Sequence, residues 1–448
     1  TRDGKPRPRL TRAPAYGETE QQEKQNEIAG WPTYRRDATR SGTTDAHVPP
    51  DLSRAWQVEA GQDLTPPVVA SGLAIVGSTT EHRISAFDAA DGSVEWTFTP
   101  GGPVDLPPTI HGNLVLFGCR DGYVYCLRAS DGKMAWRFRA APRDTRTLDR
   151  ERLESVWPVP GSVLVMDGVA YVSAGRSTYL DGGVRLYGLD PQTGEVLFKN
   201  RVDSEHPGLS KVENRGAERK VIDQNIVDRV SQRAPDQSDA FSMQGGALND
   251  VLVSDGYSIY MKHMRFGPEL ERREKPGRHL FSTSRLLNTV EVHRSHWVLG
   301  TGDFSRVPVA YSWIANSRSG RGALRLGRPY GIMLAFERDT AWGVWRRMNK
   351  EGYTIYAQSN EPFRREPKGR RDFRRFENRD MPAMCWRKKM VMRPRAMLKA
   401  GENLFFGGCP DQSRADDPLA VYRGKKDGLL WVYSAADGEK RATYRLPS

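Results

Sequence analysis

The sequence predicts an all-β chain assembled from copies of one four-stranded unit, and three observations carry that expectation. Trp56, Trp96 and Trp136 stand 40 residues apart. Each lies in a short strand-like run: Arg54-Ala55-Trp56-Gln57-Val58, Val94-Glu95-Trp96-Thr97-Phe98 and Met134-Ala135-Trp136-Arg137-Phe138. The last two are preceded by Asp91-Gly92 and Asp131-Gly132, and Asp-Gly supplies the positive-φ geometry of a tight hairpin. A fixed period of this length marks one supersecondary unit being copied.

The units follow in order. A first copy has strand-like runs at 66–70, 73–77 and 84–88, then the Asp-Gly turn and the Trp96 run. A second has 107–110, 114–118 and 124–127, then Asp131-Gly132 and the Trp136 run. After an insertion a third has 162–165, 169–172, 184–190, Thr193-Gly194 and 196–198, and a late copy has 396–399, 403–407, 429–433, Asp437-Gly438 and 442–446. Between them, runs at 251–253, 258–261, 296–299 and 331–336 suggest two divergent copies. A four-stranded meander cannot bury both faces alone, and radial stacking of copies does so while leaving only short edges. The expected architecture is a β-propeller of four-stranded antiparallel blades, about seven, with eight the alternative.

Residues 1–30 carry mixed charge without apolar periodicity and read as a tail or linker. The propeller is expected over 31–448, with insertions at about 200–245 (Val221 to Val230 as a short helix) and 300–330, and a basic insert at about 361–395. Trp56, one period before Trp96, makes 52–58 an outer fourth strand with no first three before it. The chain reaches Ser448 just after another outer strand at 440–446. The closing blade is therefore expected to be incomplete, with an open seam.

Composition narrows the function classes. The chain has 448 residues, 38% of them hydrophobic, and a net charge of +13. No apolar run approaches the roughly 18 residues of a membrane-spanning helix. The chain opens on Thr1, as a processed or excised chain does, so a missing leader says nothing about compartment. Residues 361–400 hold 14 Lys/Arg against 5 Asp/Glu. There Arg364-Arg365, Arg370-Arg371 and Arg374-Arg375 interleave with Phe363, Phe373 and Phe376, a pattern that offers an acidic surface or polyanion both charge and stacking. A solvated basic loop is the plain alternative.

Four cysteines add little. Cys119 and Cys126 flank the turn Arg120-Asp121-Gly122, and whether they face each other depends on register. Cys385 and Cys409 are far apart and no CxxC pair exists, so buried free thiols are expected and a structural zinc site is not. Tyr257, Tyr260, His263, His279, His293, His296 and Trp297 gather four of the eight histidines. His263, His293 and His296 could ligate a metal through imidazole nitrogens. Residues three apart on a strand face opposite sides, however, so hydrogen-bonded histidines in blade insertions are the simpler reading. His293 with Arg294 could line an anion-binding mouth. The candidate ligand or partner surface is Tyr260, His263, His293, Arg294, His296 and Trp297 together with the six paired arginines. Trp56, Trp96, Trp136, Gly92, Gly132, Gly194 and Gly438 are read as structural. No GxSxG, GxxxxGK[ST] or HExxH motif occurs, and Gly182-Gly183 and Gly245-Gly246 read as turn glycines.

The phrases Ala86-Phe87-Asp88-Ala89-Ala90-Asp91-Gly92-Ser93-Val94-Glu95-Trp96 and Leu186-Tyr187-Gly188-Leu189-Asp190-Pro191-Gln192-Thr193-Gly194 resemble the ALDAATGKVLW signature of PQQ-binding-like propeller repeats. That family includes quinoprotein alcohol dehydrogenases and the outer-membrane-assembly lipoprotein BamB. The resemblance is good over 52–198 and 394–446 and weak over 200–390. Residues 31–37, 121–127 and 154–158 are similar to stretches of large bacterial envelope proteins with BamB-like propellers. The resemblance implies the fold and a periplasmic or cell-envelope location, and propellers host unrelated functions. Its enzyme branch implies a vicinal Cys-Cys disulfide over the quinone, a Trp floor, and a Glu/Asn/Asp calcium site with a catalytic Asp, yet no two cysteines are adjacent here. The expectation is a non-catalytic scaffold that binds a protein or other ligand in the bacterial envelope, with no catalytic residue and no cofactor or metal. A PQQ-dependent dehydrogenase holding PQQ and calcium is the alternative, and polyanion or anionic-lipid binding through the basic insert is a third reading.

Overall fold

A computed structural model describes residues 8–18, 30–149, 152–204, 247–274, 277–282, 297–300, 329–346, 352–361, 383–411 and 427–446. These contain no α-helix. They form seven small antiparallel sheets arranged as a seven-bladed propeller, spanning 68–98, 109–139, 164–202, 253–273, 279–331, 333–390 and 392–446, numbered here as blades 1 to 7. Strands pair in sequence order within each blade. Blade 5 has three strands among the described residues (His279–Ser282, Trp297–Gly300 and Tyr330–Gly331) and the other blades have at least four. A hairpin of Arg146–Asp149 and Arg152–Ser155 stands apart as its own two-stranded sheet between blades 2 and 3.

The middle strands of blade 2, Leu114–Gly118 and Tyr123–Arg128, are buried almost end to end. They lack apolar-polar alternation because a neighbouring blade covers each face. The core accordingly lies between blades. One cluster joins blades 1 and 2 through Ile75, Ile84, Trp96, Phe117 and Tyr125, another joins blades 2 and 3 around Trp136, and others join blades 3 to 4 and 6 to 7. Cys119 and Cys126 belong to different clusters, on opposite faces of blade 2, and all four cysteines are free thiols.

A single device repeats between blades. Each outer-strand Trp donates its indole N–H to a carbonyl in the turn of the next blade: Trp96 to Ala129 (2.7 Å), Trp136 to Pro191 (3.0 Å) and Trp386 to Ala435 (3.0 Å). The ring lies over the turn glycine. A Cβ at Gly132 would sit 2.6 Å from the Trp96 ring, and one at Gly438 would sit 2.5 Å from Trp386. Both glycines also have φ near +70°, so the position excludes a side chain on two grounds. In five outer strands the register shifts by one residue just before this position, leaving Glu95, Ala135, Leu197, Cys385 and Arg441 as bulge residues. A bulge adds local twist, and here it precedes the side chain that meets the next blade.

Three sequence expectations need correction. Residues 8–18 are not a tail: Leu10–Arg12 is a fifth strand on the outer edge of blade 2, paired with Met134–Arg139, and three residues are too few to show periodicity. The basic insert does not reach 395, because Met384–Met390 and Met392–Ala400 are strands of blades 6 and 7. The closing blade is not incomplete. Blade 7 has four strands of its own, and residues 52–58 form none.

Trp56 nevertheless acts at the seam. In blade 7 the place of the outer-strand Trp is taken by Ala442, opposite Val432 as Trp96 is opposite Ala86. Trp56 supplies the missing ring from the other end of the chain: it covers Gly92 of blade 1 and donates to Ala89 O at 3.1 Å. Before it, Thr43–Thr44 pairs parallel with Met392–Ala400. Val48 and Leu52 pack on Phe405, Val432, Ala442 and Tyr444, and Leu52 N–H donates to the Tyr444 hydroxyl. The calls on 200–245 and 300–330, including the helix at Val221 to Val230, fall almost wholly outside the described residues.

Trp136→Ala should destabilise the chain by about 3–5 kcal/mol, the usual cost of truncating a fully buried aromatic. The half-buried Trp56 should cost less when truncated, and its loss should speed amide exchange only in blades 1 and 7. Urea midpoints and exchange mapping check both, and uniform exchange after Trp56→Ala would contradict the seam assignment.

Candidate functional site

The axis of the ring is the place where innermost strands converge, and residues 31–44 fill it. The segment bonds to one blade after another. Trp31 exchanges both backbone bonds with Val69 of blade 1, and Pro32 O accepts from Ile110 N–H of blade 2. The Thr33 hydroxyl meets those of Thr109 (2.8 Å) and Ser162 (3.2 Å). Ala38 O accepts from Ser254 of blade 4, Ser41 O from Phe336 of blade 6 and Gly42 O from Lys399 of blade 7. Blade 5 enters through Trp297, whose ring lies 5.2 Å from the Arg35 guanidinium carbon and 6.5 Å from Tyr34.

To touch so many blades in 14 residues the backbone must coil tightly. Arg35, Arg36 and Arg40 take φ of 57°, 80° and 58°, a left-handed conformation uncommon for a side-chain-bearing residue. Asp37 holds the coil by accepting from the Thr39 hydroxyl (2.7 Å), the Ser41 amide (3.1 Å) and the Ser41 hydroxyl. Arg40 is wholly buried. It donates to the Thr33 hydroxyl, Tyr34 O and Leu252 O at 2.8, 2.9 and 3.3 Å, while its Nη2 has no acceptor. Burial pushes its pKa down to about 10, against the pull of Asp37, so it remains a cation at neutral pH. Arg35 donates to Arg40 O and Leu334 O.

Beside this coil, Lys262 and Asp250 form a buried ion pair completed by Ser282, whose hydroxyl donates to Asp250 at 2.6 Å and accepts from Lys262 at 2.8 Å. Tyr260 is buried, stacks on His279 with centroids 3.8 Å apart and donates to Asp255. The two ring nitrogens of His279 face Gly277 O and Lys262 O at 2.9 and 2.6 Å. Burial holds its pKa below the ordinary value even though both carbonyls favour the proton. Tyr257 is exposed and His263 half-buried.

Among the expected site residues, the structure thus places Tyr260 in the core and Trp297 on the axial wall. His293, Arg294, His296 and the six arginines (Arg364, Arg365, Arg370, Arg371, Arg374, Arg375) lie outside the described residues. Among the described residues no group of three or more His, Cys, Asp and Glu is placed to hold a metal, and no helix is long and apolar enough to cross a membrane. Sequence reading took 31–37 as the start of the propeller and as a stretch similar to envelope proteins, and gave it no place on the axis. Its signal, Arg35-Arg36-Asp37 ahead of Arg40-Ser41-Gly42, is polar and resembles a loop.

A second feature also escaped sequence reading. Arg120 bridges Asp105 (2.5 Å) and Glu154 (2.6 Å), and Arg176 binds the other Glu154 oxygen. Glu154 is only 1% exposed, so this network anchors the separate hairpin. On that hairpin Leu148 lies opposite Leu153, and they are 72% and 57% exposed. Two leucines facing solvent on an anchored hairpin suit contact with another protein.

Arg40→Ala should cost about 3 kcal/mol, since it empties a packed site and strips three acceptors of their donor, seen as a lower urea midpoint. His279 carries a pH dependence of stability. Its folded pKa is depressed, so its contribution is complete above the unfolded value of about 6.5 and is lost as pH falls below it. His279→Phe should therefore flatten the fall in urea midpoint below that pH, and identical slopes for both proteins would refute the assignment.

Residues 41–247 match a family model described as outer membrane protein assembly factor BamB. The chain is 27% identical over 156 residues to the BamB of Yersinia pestis, covering 34% of this chain and 37% of that protein. It is 27% identical over 205 residues to that of Nitrosomonas eutropha, covering 45% and 44%. The chain thus spans less than half the length of these curated relatives. A europium-containing methanol dehydrogenase superposes with a TM-score of 0.51 at 11% identity, over 94% of this chain and 86% of that one, a likeness of fold alone. The repeat, the blades and the match over 41–247 agree: the chain is a seven-bladed propeller that resembles the PQQ-like β-propeller family.

Proposed function

We propose that this protein is a non-catalytic propeller scaffold that binds a protein partner in the bacterial envelope. The observation that carries this reading is the filled axis. Main chain and the wholly buried Arg40 occupy the space on which the inner strands converge, and a quinone stacked there would have to displace them. Breaking the axial hydrogen bonds would leave buried polar groups unpaired, each costing about 1–3 kcal/mol. The curated relatives are named outer membrane protein assembly factors, and by that likeness this chain would work in the periplasm beside the outer membrane, with Leu148 and Leu153 as apolar contact.

Two measurements test it. Incubated with PQQ and calcium and passed through a desalting column, the protein should retain no quinone absorbance and should not reduce a dye with alcohols. Stoichiometric retention with alcohol-dependent turnover would establish the dehydrogenase instead. Cross-linking in envelope extracts should yield a discrete partner that Leu148→Asp with Leu153→Asp diminishes.

A further inference from the structure

Residues 8–16 show what the outer edge of a blade and its neighbour hold between them. Leu10–Arg12 adds a strand to blade 2, with Leu10 opposite Phe138 and Arg12 opposite Trp136. Ala13 N–H donates to Ala135 O and Arg139 N–H to Arg9 O. Side chains reach blade 3: Arg9 lies 5.0 Å from the Tyr187 ring and donates to its hydroxyl, and Arg12 pairs with Glu195. Ala15 and Tyr16 then enter the core cluster that includes Leu114, Leu116 and Ala135.

The repeat places the same cleft between blades 6 and 7. Trp386 stands where Trp136 does and Gly438 where Gly194 does, each glycine lying under its Trp. Counting back from these glycines, Trp431 takes the place of Tyr187. Here the outer strand Met384–Met390 has no fifth strand among the described residues, so the backbone groups that correspond to those bonding residues 8–13, on Cys385, Arg387 and Lys389, face outward. A cavity of about 380 Å³ opens beside the strand, lined by Trp342, Cys385, Lys399, Glu402, Ala435 and Arg441. Cys385 and Ala357 there correspond to Ala135 and Cys126, members of the cluster that Ala15 and Tyr16 join. The buried Trp431 indole N–H has no acceptor, whereas Tyr187 in the filled cleft has Arg9.

The open cleft carries more positive charge. The filled cleft takes arginines against Glu195, whose counterpart in the open one, Glu439, is held by Lys388. Arg387 and Lys389 repeat Arg137 and Arg139 and are exposed, while Lys388, Lys440 and Arg441 stand where Phe138, Val196 and Leu197 do. Lys440 lies 3.7 Å over the Trp431 ring, and Arg441 donates to the Asn403 side-chain oxygen. Cationic edges repel copies of themselves and leave an oppositely charged strand as the fitting partner.

We propose that the cleft between blades 6 and 7 docks an extended acidic segment of a partner protein, which adds a strand to Met384–Met390 and buries its following residues in the cavity beside Cys385. The proposal rests on the scaffold reading above.

Cys385 is the exposed thiol among four cysteines, so its alkylation reports on the cleft. The probe is a synthetic peptide copying residues 8–18 with Arg9 and Arg12 changed to Glu. At roughly ten times its Kd it should slow maleimide labelling of Cys385 about tenfold, and the peptide with its native arginines should not. Lys389→Pro removes an edge donor where an edge strand tolerates proline, and Arg387→Glu reverses the charge. Both should abolish protection while leaving the urea midpoint near that of the wild type. Labelling unaffected by millimolar peptide, or equal protection in wild type and Lys389→Pro, overturns the cleft. A cross-linked envelope partner that Lys389→Pro retains in full also overturns the cleft and leaves the scaffold reading standing. Quinone-dependent turnover alongside intact peptide protection overturns the scaffold reading alone.

Discussion

The structure depends on one constraint: the inner strand of every blade presents an open edge to the axis, and those backbone groups need partners. A ring of sheets hides its broad faces by stacking, but stacking does nothing for the inner edges. Residues 31–44 meet that need from within the chain, bonding to blades 1, 2, 4, 6 and 7 and stacking on blade 5. The left-handed turns at Arg35, Arg36 and Arg40 follow from it, because only a tightly coiled segment can reach so many strands in so few residues. A buried guanidinium suits the task, since its donors radiate in a plane and carbonyls surround it.

The same segment then closes the ring. Leaving the axis along the inner strand of blade 7, the chain crosses that blade and delivers Trp56 to the turn of blade 1. The interblade lock needs a ring over a glycine, and blade 7 carries Ala442 where the ring should be. Trp56 restores the lock without sharing a strand between the chain's ends. Axis and seam are thereby tied to one stretch of sequence, 31–58, so loosening either loosens the other.

This explains what the sequence could reveal. The Trp and Asp-Gly repeat was legible because each lock depends on local chemistry that recurs: a large ring, a turn carbonyl and a residue without Cβ. Seven blades followed from it. Trp56 misled because its spacing obeys the lock while its backbone does not obey the strand, so the period was right and the inferred blade was not. The axial coil was hidden, since its partners lie in six blades and its own residues look like any polar loop. Leu10–Arg12 was hidden for the opposite reason, as a strand of three residues is specified by the edge that receives it. Tyr260 and His279 drew attention as polar aromatics, yet they stack in the core, where packing and two carbonyls account for them.

A propeller can bind ligands at its axis, on its loops or along its outer edges. Here the axis is filled with covalently attached chain, which is present at far higher effective concentration than any free competitor. An axial ligand would have to outcompete it and also compensate the desolvated Arg40. The outer edges differ among themselves. Blade 2 is capped by residues 8–16, whose arginines match Glu195 and two aromatic rings. Blade 6 keeps the same bulge, the same Trp and the same two edge cations, but its cleft adds Lys388, Lys440 and Arg441, and no fifth strand covers its edge among the described residues. The repeat fixes the backbone of each cleft, and the charges that line it fix what can enter, so one architecture holds its own N-terminal segment at one interface and is set for a different occupant at another.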